Sequence, residues 1–219
     1  MNELFLYDRD AGLFKEVLKQ STVIEGRYHV APGYGHELNT GNLEAFIKDP
    51  KTGLSDEKQK YPICVCMVPR STIVQRNGND WEYFYFNMFF LCTTYYTGQN
   101  KVKQPDPGSG ISTHHVWYDW KDMQECARNF LTVLDEVVRN KTVVESEIER
   151  PMATVFHRDK TTVVDIKRLT KFNNDRLSGV SVLFNLYLDA SVCSFQDYPA
   201  DVLDKISIPE LNPHPLHKH

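Results

Sequence analysis

The stretch "DWEYFYFNMFFLCTTYY", residues 80–96, constrains this chain more than any other. Taken as one strand from Glu82 to Tyr96 it is 15 residues long, against about 5–6 for an average strand. At about 3.3 Å per residue such a strand runs roughly 50 Å. A compact domain of 219 residues, with a radius of gyration near ~17 Å, is barely wider. Phe84, Phe86, Met88, Phe90 and Cys92 line one side, and Tyr83, Tyr85, Phe89 and Leu91 the other. A sheet with one wet face alternates apolar with polar residues. Here both faces need cover. Two segments compete for the second face: the chain's own residues 32–60, or a neighbouring copy of the whole chain.

The chain is long enough for one well-buried domain, or for two small ones. With 41% hydrophobic and 25% charged residues it has globular proportions,. Its 29 acidic residues outnumber 25 basic ones, for a net charge of −4. A protein whose affinity rests on neutralising nucleic-acid phosphates needs clustered Lys and Arg instead. The five cysteines, Cys64, Cys66, Cys92, Cys126 and Cys193, have no CxxC spacing and lie mostly in apolar runs. They read as core residues of a protein made in a reducing compartment. The first residues, "MNELFLYDRDAG", have neither the basic region nor the apolar run of a signal peptide,. No segment approaches the roughly 18 apolar residues of a membrane-spanning helix, so a soluble chain with no membrane partner is expected.

Along the chain, "DRDAGLFKEVLKQ" (8–20) has the spacing of a short amphipathic helix, with Leu13, Phe14, Val17 and Leu18 on one side,. "STVIEGRYHVA" suggests a strand through Ile24, Tyr28 and Val30. "YPICVCMVP" is a proline-bracketed buried strand, and "QRNGND" is a hairpin turn leading from it into the aromatic strand,. In "DWKDMQECARNFLTVLDEVVRN", Trp120, Met123, Ala127, Phe130, Leu131, Leu134 and Val138 form a helical stripe, with Asp119 placed as its cap,. "PMATVFHRDKTTVVDIKRL" reads as two strands about a turn at Asp159–Lys160. A second long strand follows in "RLSGVSVLFNLYLDASV". The order predicts an α+β domain, a largely antiparallel mixed sheet packed against two main helices. A single domain is expected over residues 1–199, with an irregular insertion at 42–60 and a projecting loop at 97–113. Residues 200–219 form an extended, proline-containing C-terminal arm.

No motif of catalysis stands out. His114 and His115 are adjacent, and on a strand they point to opposite faces, a poor arrangement for one metal. Cys64 and Cys66 share a strand face but have no second pair. "GYGHELNTG" has Leu38 where a dinucleotide loop needs its third glycine, and "PGSGIS" lacks the spacing of a nucleophile elbow,. The carboxylate pairs Asp8/Asp10 and Glu145/Glu147 sit in polar flanks. An unrecognised hydrolase would have to use His157 or the His114–His115 pair. No metal or cofactor is called for.

Five segments taken in order carry a resemblance. They are "GYGHELNTG" (33–41), "YPICVCMVP" (61–69), the hairpin into "YFYFNMFFLCTTYY", the helix from Asp119, and "FNNDRLSGVSVLFNLYLDASVCSF" (172–195). In this order and spacing the chain resembles the neck and tail-completion proteins of tailed bacteriophages, which include tail terminators. It looks most like the ring proteins that stack below the portal in crAss-like phages. The resemblance covers most of residues 1–199, and residues 42–60 look inserted against it.

That resemblance implies a structural virion protein, made in the cytoplasm of a host bacterium, that closes into a six- or twelve-fold ring at the portal–tail junction. It implies a tail-terminator-like fold and no catalysis. Its partners are expected to be its own copies and neighbouring portal, neck or tail proteins, with genomic DNA passing through unread. Tyr83, Tyr85, Phe89, Tyr95 and Tyr96 are then expected at the subunit interface, because aromatic residues are enriched in such contacts. Lys101 and Lys103 in the loop, and Pro209, Pro213 and Pro215 in the arm, are expected to dock on neighbouring proteins. A monomeric binding module or assembly chaperone, using the same apolar face, is the competing expectation.

Overall fold

The structure is a computed structural model, described here for residues 4–31, 43, 46–47, 61–76, 78–93, 113–145, 148–159, 164–172 and 177–189. Tyr95, Tyr96, Lys101, Lys103, Pro209, Pro213 and Pro215 lie outside the described residues, as does "GYGHELNTG". Among the described residues the helices with set bounds are α1 (Leu4–Tyr7), α2 (Leu13–Lys19), α3 (Thr113–Asn140) and the single turn α4 (Met152–Val155), and Leu43, Phe46 and Ile47 are helical as well. The strands are β1 (Tyr28–Ala31), β2 (Ile63–Met67), β3 (Arg70–Arg76), β4 (Asn79–Thr93), β5 (Thr142–Glu145), β6 (Ile148–Pro151), β7 (Phe156–Arg158), β8 (Asp165–Phe172) and β9 (Leu177–Asp189). Seven of them form one mixed sheet in the order β1–β2–β4–β9–β7, with β3 also on β4 and β8 also on β9. Only the β1–β2 pair is parallel among these pairings. The fold is α+β, as expected.

The aromatic strand is one unbroken element of 15 residues, Asn79–Thr93. Its length is sustained because every part of it has partners. β9 pairs along one edge from Trp81↔Asp189 to Thr93↔Leu177. The other edge is shared end to end, β3 taking Asn79 to Tyr85 and β2 taking Met88 to Leu91. Sequence reading placed the hairpin directly between β2 and β4. The chain instead breaks at Val68–Pro69 and adds β3 before the turn, where Gly78 has φ +80°.

On one face, Phe84, Phe86, Met88, Phe90 and Cys92 join Val180, Val182, Phe184, Leu186 and Leu188 beneath α2 and α3. Phe14 of α2 is the hub, with ring centroids 5.0 Å from Phe86, 5.4 Å from Phe130 and 6.0 Å from Phe184. The helical stripe of α3 is buried as its spacing demands, from Met123 to Val138. Each such side chain contributes about 1.5–3 kcal/mol by leaving water.

The other face corrects an expectation. Phe89 and Leu91 are 1% and 0% exposed within the single chain. They form a second apolar cluster with Ile63, Val65, Met67, Leu169 and Leu177, which Leu43 and Ile47 join from the 32–60 segment. Tyr83 is also buried, at 8%. Phe89 and Tyr83 therefore need no neighbouring subunit to remove them from water. The roof over this half of the face is intramolecular, because a segment tethered to the same sheet loses less entropy on docking than a free copy does.

Four smaller expectations are also corrected. α3 begins at Thr113, so His114 and His115 are helical, not strand or loop residues, and Asp119 is interior to the helix, not its cap. Residues 152–155 form a helical turn before β7. Helix 8–20 is shorter than its periodicity suggested: Asp8 instead accepts hydrogen bonds from the N–H groups of Asp10 (2.8 Å) and Ala11 (2.9 Å) in a turn,.

Candidate functional site

Side chains alternate along a strand, so the half of β4 that lies beyond the roofed cluster presents Trp81, Tyr83 and Tyr85 on that same face. The strand register sets their neighbours. β3 places Arg70 opposite Tyr85, Thr72 opposite Tyr83 and Val74 opposite Trp81. β9 places Asn185 opposite Tyr85 and Tyr187 opposite Tyr83, and β7 sets His157 opposite Tyr187.

The result is a continuous aromatic patch around buried Tyr83. Its ring lies 4.9 Å from Tyr85, edge-on, and 4.6 Å from Tyr187. Trp81 meets His157 at 5.1 Å, and His157 meets Tyr187 at 5.2 Å. Such pairs add about 0.5–1.5 kcal/mol each beyond area burial. The Arg76 guanidinium lies 5.3 Å over Tyr187 and that of Arg70 lies 5.7 Å over Tyr85, a cation–π arrangement. Trp81, Tyr85 and Tyr187 are half-buried, and both arginines are exposed.

The acids on this face are turned inward. Asp159, 5% exposed, accepts the Tyr83 hydroxyl at 3.0 Å. Asp189, at the end of β9, is bonded to Arg150 at 3.4 Å. Burial, reinforced by the Arg76 charge, lowers the His157 pKa, so its imidazole is neutral at pH 7 and serves as a stacking ring. Burial and then the Asp159 charge raise the Tyr187 hydroxyl. Asn87 sits where this patch meets the apolar cluster, 1% exposed, with neither amide atom partnered among the described residues. The Ser181 hydroxyl is likewise buried and unpartnered. Each such group costs about 1–3 kcal/mol.

Of the expected interface residues, the structure brings Tyr83 and Tyr85 together here and puts Phe89 in the core. Sequence reading missed Trp81, Tyr187, Arg70 and Arg76. Tyr187 was legible as the aromatic member of the polar alternation Asn185–Tyr187–Asp189. "RSTIVQR" was legible as a strand from its β-branched centre.

Elsewhere, a cleft of about 330 Å³ opens between α2 and α3, lined by Val17, Leu18, Val23, Cys126, Phe130 and Val133. Cys64, Cys66 and Cys92 are buried, and burial pushes the Cys66 thiol up to about 12. Among the described residues no cluster of three or more His, Cys, Asp or Glu is placed to hold a metal. Nor is any helix among them long and apolar enough to cross a membrane. Comparison with models of known protein families finds no match, and comparison with curated proteins finds none either.

Proposed function

We propose that the chain is a structural subunit that assembles with its own copies into a closed ring in the neck or tail of a tailed bacteriophage. There it seals or adapts the DNA channel at the portal–tail junction and contacts neighbouring portal, neck or tail proteins. DNA passes without being read, and the subunit catalyses nothing. The resemblance of the ordered motifs to those of such ring proteins supports the virion setting. The observation that carries assembly is the aromatic patch: Trp81, Tyr85 and Tyr187 stay half-exposed around a buried tyrosine, flanked by two stacked arginines. Tyr, Trp and Arg are the residue types that dominate interface energies. The contact is narrower than the full sheet face, since Phe89 and Leu91 are already covered.

Light scattering and negative-stain electron microscopy of the purified chain at micromolar to millimolar concentration test this reading. Ring-sized species that Trp81→Ala and Tyr85→Ala weaken are expected. A monomer at every concentration, binding no portal or neck protein, overturns it. The cleft between α2 and α3 favours a second reading, a monomeric binding module, because its volume falls in the range of small-ligand sites, about 300–1,000 Å³. A monomer whose melting temperature rises on screening small apolar ligands supports that alternative.

A further inference from the structure

β3 is an edge strand that lacks the usual protections. It pairs with β4 without a break from Arg70↔Tyr85 to Arg76↔Asn79, and among the described residues nothing pairs with its outer edge. It contains no proline, lysine or bulge, and Ile73 at its centre is 74% exposed. An edge of this kind is a template for another strand. The strand's only charges are Arg70 and Arg76 at its two ends. Two copies of β3 paired antiparallel about Ile73 would set Arg70 against Arg76 twice, and like charges directly opposite destabilise a strand pair. The edge therefore disfavours a two-fold dimer and suits an acidic strand.

The chain carries one. β5 and β6 form a separate two-stranded ribbon that pairs with no other strand among the described residues. A lone two-stranded ribbon is marginal in water. Residues 142–151, "TVVESEIERP", hold Glu145, Glu147 and Glu149 against one basic residue, Arg150, which is bonded to Asp189 on β9. That bond ties the ribbon to the end of β9, and the chain runs from β6 through α4 directly into β7, while β6 itself packs on α4 and the long helix α3. β3 spans β4 residues 79–85, and β7 pairs with β9 residues that face Glu82 to Phe84 of β4. The basic edge of β3 and the β7 edge thus lie at the same level on opposite sides of the sheet, and the separate ribbon is tied to the β7 side through Arg150.

We propose that β3 of one subunit takes the acidic β5–β6 ribbon of the next as an added strand, head to tail. Different patches on identical subunits are what a closed ring requires. The inference rests on the self-assembly reading above and names its contact.

Charge exchange tests it. Variant A carries Arg70→Glu and Arg76→Glu, and variant B carries Glu145→Arg and Glu149→Arg. In each alone, edge and ribbon repel, and the subunit dissociation constant rises at least about tenfold. Mixed one to one, each edge meets an opposite ribbon, and alternating rings return. Circular dichroism establishes that both variants fold. Independently of any variant, wild-type assembly weakens from low to molar salt, as the Debye length falls from about 10 Å at 0.1 M to about 3 Å at 1 M. Wild-type rings that survive in both variants, or that ignore salt, overturn this contact while leaving self-assembly standing. A wild type that stays monomeric overturns both.

Discussion

Asp119 offers the sharpest test of how this sheet and its long helix are joined. It lies inside α3, is 0% exposed, and accepts the Ser178 hydroxyl of β9 at 2.7 Å. Its second carboxylate oxygen has no hydrogen-bond partner among the described residues. Among the described residues the groups facing it are the Ser178 hydroxyl, the Cys92 thiol of β4, and Asp122 one turn along the helix. No cation is among them. Burial pushes its pKa up to about 6, a rise the Ser178 hydrogen bond only partly opposes and Asp122 reinforces. A rise of about two units at 1.36 kcal/mol each sets an upper bound near 3 kcal/mol, and screening by nearby water brings this to about 1–2 kcal/mol. The folded pKa exceeds the unfolded one. The associated stability is therefore fully present below about pH 4 and is lost as pH rises through about 6. In Asp119→Asn that loss is absent, while an amide oxygen still accepts from Ser178. Thermal unfolding of both proteins from pH 4 to 7.5 isolates the term, since every other titrating group is shared. The variant should gain on wild type by about 1–2 kcal/mol across this range, roughly 2–8 °C in melting temperature for a chain of this size. A difference that does not change with pH would refute the claim that burial raises this carboxyl's pKa above its unfolded value.

Gly179→Ala should destabilise by about 2–4 kcal/mol or abolish soluble expression, because φ is +155° and a Cβ there would lie 2.0 Å from the Phe90 carbonyl oxygen,. Phe14→Ala removes the ring that joins Phe86, Phe130 and Phe184, and urea titration should show a loss of about 3–5 kcal/mol,. Arg158 holds Asp135 through two bonds, Nε to Oδ1 at 2.9 Å and Nη2 to Oδ2 at 2.5 Å. A double-mutant cycle with Arg158→Ala and Asp135→Ala should return a coupling of about 1–3 kcal/mol, and zero coupling denies the pair its role in pinning β7 to α3. Asn87→Leu should leave stability unchanged or raise it by about 1–2 kcal/mol, since it replaces unpartnered amide atoms,. A clear loss would show that the amide binds something.

Much of the framework was legible in the residues. The period-two pattern in 80–96 announced an exceptional strand, and the stripe from Trp120 to Val138 announced the helix that covers it. Reading Asp119 as a cap failed because capping is judged from local sequence, whereas helix α3 starts at Thr113 and Asp119 is claimed by Ser178, 59 residues away. β3 was passed over because Pro69 and the Asn-Gly turn were each read as punctuation around a single hairpin. The candidate site was half visible: Tyr83 and Tyr85 stand together in the chain, but Arg70, His157 and Tyr187 join them only through strand register.

Local pattern therefore determined the two long strands, the long helix, and that the 80–96 strand would be apolar on both sides. Tertiary structure alone decided what covers each side. Leu43 and Ile47 roof one half of the second face and leave the tyrosine-rich half facing outward. Side-chain alternation depends on neighbours in the chain, so it is written in the order of residues. Burial depends on which distant segment covers a face at the lowest free energy, and no run of adjacent residues encodes that outcome.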